Sequence, residues 1–330
     1  MRTPLFNYSM LMNPLKAYYK HGPIRDLDTL AEVLEVTRAQ LERLAANADR
    51  MYRPVPQRKK DGSLRMTYDA FRMLKGVQQL IKTRLLGHVT YPRYLQGGIR
   101  DVEAPRDYAR NAGIHAGKAC VINEDIAEFF PSTNSAQILD IWQHFFRFST
   151  EVANCLTLLT TRRGELPQGA KTSSYLANLV FWRSEHEFVE FLQSKHLAYS
   201  RLFDDITVSS KRPMSCQEKS MVVSHIYSFI KRSGYKPKYR KHQIFDRNEK
   251  MLVNNLVVNA HPALSRVERH DIRQLVYTTI RAIHHRGAEA IADTQAHVRG
   301  KIGKVTRFHS RKGNRLAFDL QAAIEASTRF

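Results

Sequence analysis

The stretch YSRLFDDITVSS, residues 199–210, sets two neighbouring carboxylates, Asp204 and Asp205, inside a run that otherwise reads as a strand. Tyr199, Leu202, Phe203, Ile206, Thr207 and Val208 are side chains that suit a pleated, half-buried surface. Two adjacent anions there repel each other and resist desolvation unless a cation or hydrogen-bond donors meet them. The pair interrupts the strand as a hairpin turn would, with both side chains at its tip. Most Asp-Asp pairs of this kind are solvated turns. What this one means depends on what else the chain brings to it.

The 330 residues are 43% hydrophobic, enough for a sizeable core and two or three subdomains. A formal net charge of +21, from 52 Lys+Arg against 31 Asp+Glu, exceeds what solubility needs and points to a polyanionic partner. A membrane surface is the rival, but no apolar run is long enough to span a bilayer. The opening MRTPLFNYSMLMNPLKAYYK is broken by Pro4 and Pro14 and does not read as a signal peptide. Cys120, Cys155 and Cys216 are odd in number and far apart, which fits neither a disulfide framework nor a zinc site. A reducing, cytoplasmic compartment is expected.

No repeat, low-complexity tract or Gly/Ser linker divides the chain. Residues 27–50 read as two short helices, the second capped by Thr37. Residues 53–68 read as a hairpin turning at Asp61-Gly62, followed by an amphipathic helix over about 69–87. ACVINEDI, 119–126, is a strand ending in acid and then in Phe129-Phe130. Helices are expected over 134–160, 172–195 and 214–233, and strands near 242–247 and 251–258. The tail, 261–330, is helical by pattern and basic, with 13 Lys+Arg against 6 Asp+Glu. The alternation of helices with antiparallel hairpins predicts an α+β core carrying a basic helical appendage.

Asp125 is thus a second acidic strand end, 79 residues before Asp204. If the two strands are neighbours in one sheet, three carboxylates converge, an arrangement that divalent cations neutralise. Two-metal sites of this type serve in-line phosphoryl displacement, and oxygen-only ligands favour Mg²⁺. A small anionic centre within a large cationic surface is the layout a nucleotidyl transferase requires. By strand alternation Glu124 faces away from Asp125, on the outer face or in a salt bridge.

The order INEDIAEFFPS, ELPQGAKTSSYLANL, LFDDITVSS, SGYKPKYRK resembles the palm motifs of bacterial reverse transcriptases, most closely those of retrons, over about residues 50–260. NAGIH, 111–115, fits the NAxxH signature of retron enzymes. Three positions depart from the family pattern. Val253-Asn254-Asn255 stands where VTG is expected, Leu202 where Tyr-x-Asp-Asp has its tyrosine, and Lys171 where a proline follows QGA. The resemblance implies a right-handed polymerase: an N-terminal helical segment (1–50), fingers (51–118), an antiparallel-sheet palm backed by helices (119–260) and a basic helical thumb (261–330).

The resemblance also implies roles for single residues. Asp125, Asp204 and Asp205 are the catalytic carboxylates, with the Ile126 carbonyl completing the ligands of two Mg²⁺ ions, for which Mn²⁺ can substitute. Arg65 faces the triphosphate, with Lys59 and Lys60 in support. Phe130 is the aromatic gate against a ribose 2′-OH. Gln168-Gly169 contacts the incoming nucleotide, and Lys241, in competition with Lys238 and Arg240, lies near the triphosphate. Asn111 and His115 are expected at the structured RNA. Arg299, Lys301, Lys304, Arg307, Arg311 and Lys312 are expected along duplex phosphates, setting affinity and salt dependence with little base specificity.

The function implied is RNA-directed DNA polymerisation, copying part of a bound noncoding RNA from dNTPs within a retron-like antiphage system. A 2′-OH of that RNA primes the DNA product, and an effector protein is encoded nearby. Two other readings stay open at this point: a catalytically degenerate RNA-binding scaffold, and a defence polymerase with repetitive, protein-primed or template-independent synthesis.

Overall fold

The structure is a computed structural model, and it describes residues 15–58, 62–102 and 105–327. Lys59, Lys60 and the Asp61 turn position lie outside the described residues.

The first element among the described residues is a two-residue strand, β1 (Tyr18–Tyr19), that pairs with β4 (Val89–Thr90). Helices α1 (Leu27–Leu34) and α2 (Arg38–Asn47) start at side-chain caps, Asp26 and the Thr37–Gln40 capping box. Those caps fix the entry angles that drive Leu30, Leu34, Leu41 and Leu44 into the main core, where they join Trp142, Leu156 and Phe146. The N-terminal helices are therefore continuous with the palm core.

Strands β2 (Tyr52–Arg58) and β3 (Leu64–Ala70) form the expected hairpin, and α3 (Arg72–Arg84) follows it. After β5 (Leu95–Gln96) comes α4 (Tyr108–Ile114), whose cap Asp107 accepts from the Ala109 and Arg110 amides. Strand β6 (Cys120–Asp125) leads through α5 (Phe129–Ser132) and α6 (Ser135–Asp140) into a π-helical turn, Ile141–Phe145, and α7 (Thr150–Thr160). Helices α8 (Ser173–Leu179) and α9 (Glu185–Ser194) precede the hairpin β7 (Leu197–Leu202) and β8 (Asp205–Ser210). Helix α10 (Cys216–Arg232), with a Ser215–Glu218 capping box, packs behind the sheet before β9 (Gln243–Asp246). A small hairpin, β10 (Leu252–Val253) and β11 (Leu256–Val257), connects to the tail helices α11 (Arg266–Arg286), α12 (Gln295–Phe308) and α13 (Ser310–Ser327).

The central sheet has five strands in the order β5-β7-β8-β6-β9. β8 lies between β7 and β6, antiparallel to both, and β5 is parallel to β7. The segment 251–258, expected as one strand, is the β10–β11 hairpin. Asn254 and Asn255 take left-handed backbone angles there, φ 48° and 64°, which turn the chain in two residues. The tail carries its own core, Val276, Ile283, Val298, Ile302 and Leu320. This is a right-handed polymerase architecture of fingers, antiparallel palm and helical thumb.

Candidate active site

Register brings the carboxylates together. Asp125, the last residue of β6, lies directly opposite Asp205, the first residue of β8. Asp204 is the second residue of the turn between β7 and β8, and its carbonyl accepts from the Ile126 amide at 3.0 Å. Asp125 is 2% exposed, while Asp204 and Asp205 are half-buried. Burial first, and then the Asp204 charge, push the Asp205 carboxyl up to about 8; burial and then Asp125 raise Asp204 likewise.

Two lysines answer this charge. Lys241 Nζ bonds Asp125 Oδ2, and Lys238 Nζ is 3.5 Å from Oδ1. Burial acts to lower the Lys241 pKa, but the Asp125 bond and the fields of Asp205 and Asp204 outweigh it and leave it raised. Arg65, on the exposed face of the fingers hairpin, is near enough for its field to lower Asp204. Glu124, on the opposite sheet face, is buried against His242 at 2.5 Å.

Among the described residues, no three His, Cys, Asp or Glu side chains close into a metal cage. The carboxylates form an open cleft in which Asp125 Oδ1 is buried without a hydrogen bond. A buried anionic oxygen that makes no hydrogen bond and is met only by the Lys238 ammonium at 3.5 Å, beside two carboxylates held above their usual range, is a donor set that suits a hard divalent cation.

Phe129 is 2% exposed and packs on Phe181 and Tyr235, whereas Phe130 is half-buried with its ring 6.0 Å from Phe203. The fingers hairpin is pinned to the Gln168-Gly169 loop by the Tyr68 amide, which donates to the Gln168 carbonyl at 2.8 Å. Gly169 has φ 111°, and a Cβ there would meet the Tyr68 carbonyl at 2.9 Å, so the close approach requires glycine.

Of the eight residues expected at RNA, two are buried and two are paired with carboxylates. Asn111 and His115 are both 0% exposed, buried behind β7 and β8, so RNA cannot reach them in this conformation. Asn111 donates to Asn254 Oδ1 at 2.6 Å, and the His115 nitrogens bond Ser200 and Ser209, each at 2.7 Å. In the tail, Lys304 is paired with Glu268 and Arg307 with Asp107, each at 2.5 Å; Arg307 joins the tail to the cap of α4. Arg299 bonds Gln321 at 3.0 Å, while Arg311 and Lys312 are exposed and Lys301 is half-buried.

Sequence reasoning missed the support beneath the turn. Arg201 is 0% exposed and grips Glu185 bidentately at 2.6 and 2.9 Å; its Nη1 donates to the Phe203 carbonyl at 3.1 Å. The one available signal was an arginine among apolar strand positions. Its partner stands 16 residues earlier, on α9, at no spacing that periodicity reveals.

The sequence profile of the family described as "Reverse transcriptase (RNA-dependent DNA polymerase)" matches residues 57–259. The chain is similar to the retron Se72 reverse transcriptase of Salmonella heidelberg (strain 579083-10), 32% identical over 94% of this chain and 81% of that protein. It is also similar to two Escherichia coli enzymes. Identity to the retron Ec48 reverse transcriptase is 31%, over 72% of this chain and 60% of that protein. Identity to the retron Ec86 reverse transcriptase is 26%, over 88% of each.

Proposed function

The chain belongs to the retron reverse transcriptases and is an RNA-directed DNA polymerase; from that premise we propose that it copies a bound noncoding RNA into DNA by two-metal nucleotidyl transfer at Asp125, Asp204 and Asp205. The observation that supports the mechanism is the facing of Asp125 and Asp205 across one ladder, with Asp125 Oδ1 buried, outside any hydrogen bond and met by Lys238 at 3.5 Å.

Asp125, Asp204 and the Ile126 carbonyl would hold Mg²⁺, with Mn²⁺ as substitute, and Asp205 would support the pair. Such ions, when bound, lower the pKa of an attacking hydroxyl and stabilise the charge leaving on pyrophosphate. The chain's own residues bind and orient the substrate. Arg65 meets the triphosphate with a planar fork. Gln168 and Gly169 hold the nucleotide against the fingers, and Phe130 fills the space a 2′-OH would need. Lys241, released from Asp125, would deliver a proton to the leaving pyrophosphate.

The +21 charge supports a nucleic-acid partner, with Arg299, Lys301, Arg311 and Lys312 as the tail cations nearest to that role. Lys304 and Arg307 would reach RNA only by giving up their carboxylates. No helix among the described residues is long and apolar enough to cross a membrane. Cytoplasmic work in antiphage defence, beside an effector protein encoded nearby, completes the proposal.

The test uses protein purified from cells carrying the native flanking DNA. Wild type should hold RNA and a DNA copied from it. Asp204→Asn should hold the RNA alone, and its nucleotide addition should fall by more than the roughly 10–100-fold that partners outside a metal's own ligands are worth. DNA without a matching template, or RNA without DNA in the wild type, would overturn the proposal.

A further inference from the structure

Behind the catalytic hairpin a line of buried side chains runs through four elements. Ser209 Oγ lies 2.7 Å from His115 Nδ1, and His115 Nε2 lies 2.7 Å from Ser200 Oγ. Ser200 Oγ donates to Asn111 Oδ1 at 2.5 Å, and Asn111 Nδ2 donates to Asn254 Oδ1 at 2.6 Å. Asn254 Nδ2 then donates to Asp205 Oδ2 at 3.3 Å. Ser200, Ser209, Asn111 and His115 are each at most 1% exposed.

The direction of every bond follows from its far end. With Asp205 Oδ2 as the acceptor, in the carboxylate or in the carboxyl whose proton is on Oδ1, Asn254 presents its amide NH₂ to Asp205 and its carbonyl to Asn111. Asn111 must therefore donate, which turns its own carbonyl to Ser200. The single Ser200 hydroxyl proton is then spent on Asn111, so Ser200 must accept from a protonated His115 Nε2. Nδ1 is left as an acceptor for the Ser209 hydroxyl, and the imidazole is neutral. Burial acts in the same sense, holding the His115 pKa down at about 3. Bonds aligned head to tail polarise one another.

We propose that Asn254 is a positioning residue for Asp205, held in orientation by the chain Ser209–His115–Ser200–Asn111, so that one carboxylate oxygen of the catalytic pair is fixed from behind. This rests on the reading of Asp205 as part of the active site. It also assigns a use to Asn254, one of two side chains that replace the family's Thr-Gly. The turn around it is well seated. Val253 and Leu256 are 1% exposed among Ala112, Ile272 and Val305, and Asn123 Nδ2 donates to the Leu252 carbonyl at 2.7 Å. Asp205 is thereby referenced to the junction of sheet, fingers helix and thumb.

The main test variant is Asn254→Gly, which suits the φ of 48° and removes only the side-chain amide. Its denaturant midpoint should fall modestly, because the buried Asn111 amide is left without its acceptor. Mn²⁺ affinity by calorimetry, and kcat for single-nucleotide addition, should each fall about tenfold with the dNTP KM little changed. Asn254→Asp, which places a second acceptor against both neighbours, should lose more. Independently, ¹⁵N NMR of the metal-free protein should show His115 as the Nε2-protonated neutral tautomer.

Wild-type metal affinity and kcat in Asn254→Gly would overturn the proposal. So would an Nδ1-protonated His115. If wild type itself copies no RNA, the polymerase mechanism fails, while the Mn²⁺ and tautomer measurements still decide the relay.

Discussion

Two hairpins in the palm each turn on two residues, and they are held in opposite ways. The Asp-Asp turn, Phe203-Asp204 between paired Leu202 and Asp205, puts a bulky aromatic at φ 58°. Only glycine and a few small polar residues visit that region readily. The second turn, Asn254-Asn255 between paired Val253 and Leu256, has φ 48° and 64° on a residue type that tolerates them. The first is strained and fixed by charge: Arg201, buried and clamped on Glu185, donates to the Phe203 carbonyl. The second is relaxed and fixed by neutral hydrogen bonds through Asn111. Of the two turns, the one that carries the carboxylates is the strained one, and the supporting turn carries little strain.

Breaking the ionic support should have the largest effect. Arg201→Met leaves Glu185 buried and uncompensated and removes the donor to Phe203. Urea unfolding should show a loss of about 3–5 kcal/mol. A loss below about 1 kcal/mol would mean that the turn is held by packing alone.

Packing is tested next. Gly98 has φ 68°, and a Cβ there would lie 2.7 Å from the Phe203 ring and 2.5 Å from the Ser174 Cβ. Gly98→Ala should cost about 1–3 kcal/mol and lower polymerase activity, because the ring that shapes the Asp-Asp turn must shift. An Ala variant with wild-type stability would show that the ring has room to give.

Acid separates the two supports. His115 is neutral in the fold, with its pKa lowered by burial to about 3 against about 6.5 for an unperturbed histidine. Its contribution is fully present above pH 6.5 and is lost as pH falls from 6.5 toward 3, since only the unfolded chain takes up the proton readily. This site alone should cost about 1 kcal/mol between pH 6.5 and 5.5. His115→Gln, whatever its absolute stability, should show a flatter acid limb. An unchanged limb would put the neutral imidazole in doubt.

The same contrast separates what the sequence carried from what it hid. The Asp-Asp hairpin, the acidic end of β6, the fingers hairpin and the Thr37 cap were legible because each is written in adjacent residues. The β10–β11 turn was read as unbroken strand because Asn-Asn signals a turn less strongly than a glycine pair does. The surroundings of Asn111 and His115 were hidden for another reason. A short polar motif reads alike whether it meets a ligand or closes a buried network, and only the packing of α4 against β7 decides. The pairing of Lys304 and Arg307 is hidden in the sequence because their carboxylates, Glu268 and Asp107, are 36 and 200 residues away.

The smallest expected effect isolates the relaxed turn from its function. Asn255 is exposed at φ 64°, while Asn254 alone of the pair reaches Asp205. Asn255→Gly should change stability by less than about 0.5 kcal/mol, because glycine suits the angle but adds freedom to the unfolded chain. Asn255→Ala should cost about 1 kcal/mol, the ordinary penalty of a Cβ in the left-handed region. Neither should alter kcat, since the side chain does not touch the carboxylates. If Asn255→Ala lowered kcat as Asn254→Gly is expected to, the backbone of the turn, and not the Asn254 amide, would be what sets Asp205.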